Sequence, residues 1–204
     1  MAVNVAGLKL KNPVMTASGT FGYGEEYADL VDLNALGGIV VKGLSLKPRL
    51  GNPPPRIMET AGGMLNAVGL QNVGVNVFLE EKLPFLRAYD VAVIANIYGE
   101  NYSDYARVAE KLSKATGVHA LEVNVSCPNV KKGGLSFGAD PEAVAEVTRS
   151  VKASTHLPVI IKLTPNVTDV TVIAQVAEQA GADAVSLITT LTGMSIDLDT
   201  RTPP

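Results

Sequence analysis

The segment Asn124-Val125-Ser126-Cys127-Pro128-Asn129 combines residue types that could do chemistry at the end of a predicted buried strand. Cys127 is the only cysteine among 204 residues, and a lone cysteine is often an inert, small hydrophobic residue. Here, however, Asn124 and Asn129 place amide donors and acceptors beside it, and Pro128 ends the hydrogen bonding of the strand. This polar setting favours a reactive thiol over a packing role.

Two lysines directly follow strongly apolar runs in predicted strands. Lys42 follows Ile39-Val40-Val41, and Lys162 follows Val159-Ile160-Ile161. A charge in such a place is costly unless it is paired or used. The two cations could hold an anionic or electron-rich ligand, or one lysine could be a Schiff-base nucleophile. The alternative is a structural ion pair, for example with Glu122.

The histidines argue against two classes of enzyme. His119 and His156 each precede a predicted strand, so both should lie at the end of the sheet opposite the usual active site. This placement disfavours a Ser/His/Asp hydrolase. With one cysteine and scattered carboxylates, the sequence also predicts no metal site.

The segment Asn66-Ala67-Val68-Gly69-Leu70-Gln71-Asn72 mixes amides with a glycine that permits close backbone approach to a ligand. It could line a pocket, or it could be a turn before the next helix. It ends a predicted irregular insertion, Ser45 to Asn72, which is too long for an ordinary connection and is therefore expected to be functional. The order of Gly19, Gly22 and Gly24 does not match the Rossmann fingerprint, so a nicotinamide site is not supported.

Short runs rich in Val and Ile alternate with segments of helical periodicity, which is typical of parallel strands covered by helices. The predicted strands are Val14 to Ser18, Gly38 to Gly43, Val91 to Tyr98, Ala120 to Cys127, Pro158 to Thr164 and Ala184 to Thr190. The predicted helices are Glu25 to Leu33, Val73 to Leu86, Tyr102 to Thr116, Pro141 to Thr155 and Asp169 to Ala180.

This alternation predicts an α/β fold, either an open doubly wound sheet or a (β/α)8 TIM barrel. We expect residues 1–204 to form one catalytic domain, because 47% of them are hydrophobic. A barrel normally has ~250 residues, so we expect one truncated after about six strand and helix units. In both folds ligands gather at the carboxyl ends of the strands, where the residues named above would meet.

Charge and hydropathy exclude several partners. The net charge of −3 gives no basic surface for a nucleic acid. The sequence shows no export signal and no apolar run of ~18 to 20 residues that would span a membrane. A single cysteine suits a reducing compartment, so we expect a cytoplasmic protein.

Taken together, these residues closely resemble class 1 dihydroorotate dehydrogenase, a family of flavin-dependent barrel enzymes that oxidise dihydroorotate to orotate in pyrimidine synthesis. The resemblance spans essentially the whole chain. It is carried by Asn66 to Asn72, by Asn124 to Asn129, and by the lysines that end strands two and five.

The resemblance implies a role for each residue. Cys127 would be the base that removes the proton at C5 of dihydroorotate, while a hydride leaves C6 for the flavin N5 atom. The implied FMN contacts are Ser18, Lys42, Gly43, Asn96, Asn124, Lys162 and Ile188. The implied substrate contacts are Lys42, Asn66, Ala67, Val68, Gly69, Leu70, Asn124, Asn129, Thr189 and Thr190.

The run Asn129-Val130-Lys131-Lys132-Gly133-Gly134 resembles the class 1B form of the family. This form implies a partner subunit that carries FAD and an iron-sulfur cluster and passes electrons to NAD, in a dimer of heterodimers. With one cysteine, this chain could not hold such a cluster itself.

The sequence departs from the family pattern at two positions: Thr189 stands where the family usually has asparagine, and Val73 stands where proline is common. A threonine offers one short hydroxyl in place of an amide, which predicts weaker orotate binding. The missing barrel units would also carry the loops after strands seven and eight, which hold the cofactor phosphate in such barrels.

Two other functions fit the same residues. One is a Schiff-base aldolase or lyase barrel with Lys42 or Lys162 as the nucleophile. The other is an inactive scaffold subunit that keeps the pocket residues without binding a cofactor.

Overall fold

The computed structural model describes residues 1–126 and 137–201. Within these residues, nine strands form two antiparallel hairpins and one parallel sheet. The strands are β1 (Val3–Val5), β2 (Leu8–Leu10), β3 (Gly38–Val40), β4 (Ile57–Thr60), β5 (Gly63–Asn66), β6 (Ala92–Ile97), β7 (Ala120–Asn124), β8 (Val159–Leu163) and β9 (Ala184–Leu187). The parallel sheet has the order β3, β6, β7, β8, β9, so each of its strands lies beside the next one along the chain.

The central strands of the sheet are buried on both faces. Every residue of β3 is buried, and so are five of the six in β6 and four of the five in β7. This burial explains their continuous runs of Val, Ile, Leu and Ala, because a strand with one solvent-exposed face would alternate apolar and polar residues. On β9, the edge strand of the described sheet, Val185 and Leu187 are exposed.

Helices cover the sheet between successive strands. The first is a continuous helical stretch of α1 (Gly74–Val77), a π-helical turn (Phe78–Lys82) and α2 (Leu83–Leu86). It is followed by α3 (Tyr102–Ser113), α4 (Pro141–Lys152) and α5 (Val170–Gln179). The side chains of Asn101, Asp140 and Asp169 cap the amino ends of the last three helices by accepting backbone N–H bonds.

The result is a curled half-barrel, and it confirms the predicted fold class as part of a TIM barrel. The sequence predicted five of these strands and four of these helical stretches in the right places. No helix within residues 1–126 and 137–201 is long and apolar enough to cross a membrane.

Two predicted elements are wrong. Val14 to Ser18 is not a strand of the sheet but an extended segment joined to it by one parallel bridge, Met15 to Gly38. The predicted helix Glu25 to Leu33 is replaced by two 3-10 turns, Glu25–Tyr27 and Leu33–Ala35. Leu30 and Val31 are exposed there, so the segment lacks the apolar stripe that stabilises a helix by packing.

The insertion Ser45 to Asn72 is also more regular than predicted. Its outer part is the hairpin of β4 and β5, and its two ends run side by side. Arg49 and Asn72 exchange backbone hydrogen bonds of 2.9 and 3.0 Å, and Asn52 N donates to Val68 O at 3.1 Å. We call residues 45–72 the arm, because this ladder makes them a folded projection from the sheet.

Candidate active site

The neighbouring strands β6, β7, β8 and β9 carry a largely buried polar cluster towards their carboxyl ends. Glu122 is only 5% exposed, and its carboxylate accepts hydrogen bonds from Asn96 Nδ2 at 2.6 Å and Ser186 Oγ at 2.8 Å. Lys162 Nζ lies 3.4 Å from the same carboxylate. These side chains meet because the parallel register pairs Asn96 with Glu122 and Lys162 with Ser186 on neighbouring strands.

This cluster gives Lys162 a structural partner. A buried carboxylate is costly unless a cation and hydrogen-bond donors satisfy it, and here Lys162, Asn96 and Ser186 do so. The ion pair with Glu122, one of the alternatives from the sequence, is therefore present. It leaves the lysine beside the cavity and fixes its position there.

A cavity of about 280 Å³ lies at this end of the sheet. It brings together the predicted cofactor residues Ser18, Asn96, Asn124, Lys162 and Ile188 and the predicted substrate residues Thr189 and Thr190, and Ala17 and Thr20 complete the lining. Ser18 reaches this place although its segment is not a strand, because its hydroxyl donates to Val41 O at 2.9 Å.

The groups around the cavity suit a planar ring with polar edges. Asn96 and Asn124 offer amides, Lys162 offers a fixed cation, and Ala17 and Ile188 offer apolar surface. Gly43 lies close by, since a Cβ atom at this glycine would be 2.9 Å from Asn96 Oδ1. This mixture can hold a group such as a flavin that is apolar on its faces and rich in donors and acceptors at its rim.

Other predicted site residues lie apart from this cavity. Lys42 is half-buried, and its backbone N–H donates to Gly22 O at 2.9 Å, but it does not line the cavity of about 280 Å³. Asn66 and Ala67 line a second cavity of about 440 Å³, between the arm and residues 193–195. Val68, Gly69 and Leu70 continue the returning side of the arm.

Cys127 and Asn129 lie outside the described residues. The residue before the cysteine, Ser126, is described. Its backbone N–H donates to Asn124 Oδ1 at 3.0 Å, and its hydroxyl donates to Thr189 Oγ1 at 2.8 Å. The end of β7 is thus joined to the segment that follows β9.

Sequence reasoning assigned no site role to two groups that the structure brings into view. Glu122 was named only as a possible ion-pair partner, although a carboxylate between Leu121 and Val123 in a buried strand is itself a signal. From the sequence, Tyr98 is only the last residue of a predicted strand. Its hydroxyl reaches the arm, at Leu70 and Asn72.

Both histidines lie away from the cavity and have structural partners. His119 Nδ1 accepts a bond of 2.9 Å from Val93 N, and His156 Nδ1 lies 2.8 Å from Ser113 Oγ. Both histidines precede their strands, as predicted.

Burial raises the pKa of Tyr23 to about 12, against the smaller opposing effect of the hydrogen bond from Val73 N. Within residues 1–126 and 137–201, no group of three His, Cys, Asp or Glu side chains could hold a metal ion.

Comparison with known proteins identifies relatives that all belong to one family. The dihydroorotate dehydrogenase family matches residues 1–204. The chain is 62% identical over 203 residues to "Dihydroorotate dehydrogenase B (NAD(+)), catalytic subunit" of Thermoanaerobacter sp. (strain X514). It is 60% identical over 203 residues to the protein of the same name from Geobacter sp. (strain M21). Both alignments cover 100% of this chain and 67% of the relative, so the chain spans about two thirds of their length.

Among solved structures, dihydroorotate dehydrogenase from Eimeria tenella in complex with ferulenol aligns with a TM-score of 0.76 and 22% sequence identity. The alignment covers 98% of this chain and 62% of that one, and it supports the fold. Because the family match spans residues 1–204 and curated relatives are 60–62% identical, the chain belongs to the dihydroorotate dehydrogenase family, whose members are flavoprotein oxidoreductases.

Proposed function

We propose that this chain is the catalytic subunit of an NAD-dependent dihydroorotate dehydrogenase, which oxidises dihydroorotate to orotate in the de novo synthesis of UMP. The observation that carries the proposal is the placement of Lys162. Its ammonium lines the cavity at the carboxyl end of the sheet, fixed by Glu122 and flanked by Asn96 and Asn124. The family match gives this arrangement its chemical meaning.

The cofactor is FMN, and the residues that would hold it are Ser18, Lys42, Gly43, Asn96, Asn124, Lys162 and Ile188. When bound, FMN supplies the acceptor for the hydride that leaves C6 of dihydroorotate. Lys162 offers a fixed positive charge to the electron-rich edge of the cofactor, and such preorganised charges are effective in a site that excludes water. The amides of Asn96 and Asn124 orient the ring by hydrogen bonds.

Cys127 removes the proton from C5 of the substrate. A thiol acts as a base only as thiolate, and a free thiol has a pKa of ~8.5, so a neighbourhood that favours thiolate would raise the fraction of competent base near neutral pH. The substrate carboxylate and ring edge are bound by charged, amide, hydroxyl and backbone groups. These groups come from Lys42, Asn66, Ala67, Val68, Gly69, Leu70, Asn124, Asn129, Thr189 and Thr190.

The electrons pass to NAD through a second subunit, which carries FAD and an iron-sulfur cluster and forms a dimer of heterodimers with this chain. The name "catalytic subunit" given to the relatives supports the existence of a partner. One cysteine is too few for an iron-sulfur site, which supports placing the cluster on that partner. A single cysteine also suits a reducing compartment, which supports placing the assembly in the cytoplasm.

The test is to produce the chain with any natural carboxyl extension and its partner, and to follow the flavin absorbance when dihydroorotate is added. The parent should be yellow and should bleach. Cys127→Ala should keep the colour and bleach at least ~100-fold more slowly, the usual effect of losing a general base. Ser154→Ala, a similar change just after α4, should bleach like the parent. If Cys127→Ala bleaches as fast as the parent, Cys127 is not the base.

The same preparation separates the other two functions. A Schiff-base aldolase would be trapped covalently on Lys42 or Lys162 by borohydride in the presence of substrate. To attack a carbonyl group, Lys162 would have to be uncharged, which would leave the buried Glu122 without its cation at that step. An inactive scaffold would stay colourless after FMN is added.

A further inference from the structure

The returning side of the arm holds an unusual backbone conformation just where the proposed substrate residues lie. Gly69 has a φ of 75° and Leu70 a φ of 57°, both in the left-handed region. A leucine rarely adopts this conformation, and it persists only where surrounding contacts hold it. Something must therefore fix Leu70.

The fixing contacts come from a small buried network. Leu70 O accepts hydrogen bonds from Tyr98 Oη at 3.0 Å and from Asn72 Nδ2 at 3.0 Å. Asn72 Nδ2 also donates to Tyr98 Oη at 2.7 Å, and Ser45 Oγ lies 3.1 Å from the same oxygen. Tyr98 is 2% exposed and Asn72 is 6% exposed, so water has little access to these two side chains.

The network also joins the arm to the sheet. Tyr98 directly follows β6 and lies two residues after Asn96, which lines the proposed cofactor cavity. The backbone between them is clamped to Leu44, because Leu44 N donates to Asn96 O at 2.9 Å and Tyr98 N donates to Leu44 O at 3.0 Å. A rigid strand end thus carries the hydroxyl that holds the arm.

We propose that Tyr98 is a positioning residue for substrate binding, which acts through the carbonyl of Leu70 and is supported by Asn72 and Ser45. Its hydroxyl holds residues 66–70 in the conformation that receives dihydroorotate. This inference rests on the proposed function for the substrate role of those residues. The hydrogen bonds themselves do not depend on it.

The test uses Tyr98→Phe in the complete enzyme with its partner subunit. The variant keeps the buried ring and loses only the hydroxyl. The KM for dihydroorotate should rise about tenfold while kcat stays within about twofold, because binding is weakened and the reacting groups are unchanged. Orotate affinity, measured by calorimetry, should fall by a similar factor. Amide hydrogen exchange of residues 66–72 should become faster.

Thr148→Val is the matched control, because Thr148 is fully buried in α4 and its hydroxyl donates to Val144 O at 2.7 Å, away from the arm. It should lower the unfolding temperature comparably to Tyr98→Phe and leave KM unchanged. An unchanged KM in Tyr98→Phe, or the same rise in both variants, would overturn the proposal.

The results would be different if the proposed function itself were wrong. The parent enzyme would not oxidise dihydroorotate, yet exchange of residues 66–72 would still report whether Tyr98 holds the arm. Unchanged exchange in Tyr98→Phe would refute the positioning role even then.

Discussion

The polar cluster at the strand ends and the arm differ in how firmly the fold holds the side chains proposed for the reaction. The cluster of Asn96, Glu122, Lys162 and Ser186 sits on neighbouring strands, and the register of the sheet fixes every member. The arm, residues 45–72, projects from the sheet, and its returning side is held by a ladder between its own two ends and by Tyr98. The proposed cofactor side of the site is therefore built into the fold, and the proposed substrate side is attached to it at a few points.

This contrast has a chemical rationale. A cation that serves a cofactor must keep one position, because electrostatic preorganisation is lost when the charge can move. Substrate must enter and product must leave on every turnover, which suits a segment with fewer buried contacts. Changes in the cluster should thus affect the whole fold, and changes at the arm should mainly affect binding.

The largest effect is expected for Glu122→Gln. The variant keeps the shape of the side chain but leaves the ammonium of Lys162 without its carboxylate in a largely buried place. Breaking a buried pair in this way should lower the free energy of unfolding by about 3 kcal/mol. Urea unfolding followed by circular dichroism measures this change.

Glu110→Gln is the control for this prediction, since Glu110 pairs with Lys114 at 2.6 Å on the exposed face of α3. Its effect on stability should be far smaller, because water screens exposed pairs. Equal losses in Glu122→Gln and Glu110→Gln would mean that the cluster is not the rigid part of the site.

A second prediction concerns Tyr23, which packs against Phe78 and accepts a bond from the backbone where the arm ends, at Val73. Burial raises its pKa from 10.0 to about 12. The unfolded chain would lose the phenolic proton near pH 10, whereas the folded chain holds it, so stability falls as pH rises from 10 to 12. The total loss from this group should approach about 3 kcal/mol.

Unfolding by urea at pH 8, 10 and 11 would measure this loss for the parent and for Tyr23→Phe. The variant should lose less stability across this range, since its ring cannot ionise. The same decline in both proteins would show that other groups cause the alkaline instability.

The sequence predicts a region well when its interactions join residues that are close along the chain, and poorly when they join distant residues. The strands β3, β6, β7 and β8 were found because runs such as Val159 to Ile161 carry their own signal. The gathering of Asn96, Asn124 and Lys162 also followed, because parallel strands end at one edge. The bond from Tyr98 to Leu70 could not be predicted, since it joins residues 28 positions apart and belongs to no local pattern.

The same reason explains the errors. The hairpin of β4 and β5 and the ladder of the arm depend on pairing between the two sides of the insertion, which no single stretch of it shows. The segment Val14 to Ser18 has the composition of a strand, but it makes only one bridge to β3. A few backbone hydrogen bonds between residues 14–16 and 37–38 hold it beside the sheet, together with side chains such as Ser18, which donates to Val41 O.

The smallest effect is expected where the two regions would share a ligand, at Thr189. The family resemblance implies an asparagine at this position, and the hydroxyl of Thr189 accepts the bond from Ser126 at 2.8 Å. An asparagine has a longer side chain with both a donor and an acceptor, so Thr189→Asn should regain a hydrogen bond to orotate. Orotate affinity should rise about five- to tenfold, as expected for about 1 kcal/mol from one added hydrogen bond.

Thr192→Asn is the matched control, because Thr192 is exposed and does not line the cavity that contains Thr189. Calorimetric titration with orotate should show a gain for Thr189→Asn and none for Thr192→Asn. Tyr98→Phe should offset part of that gain if orotate contacts both sides of the site, since the arm would then hold the ligand less firmly. If Thr189→Asn binds orotate no better than the parent, Thr189 is not a substrate contact, and orotate recognition must rest on the arm and the residues around Cys127.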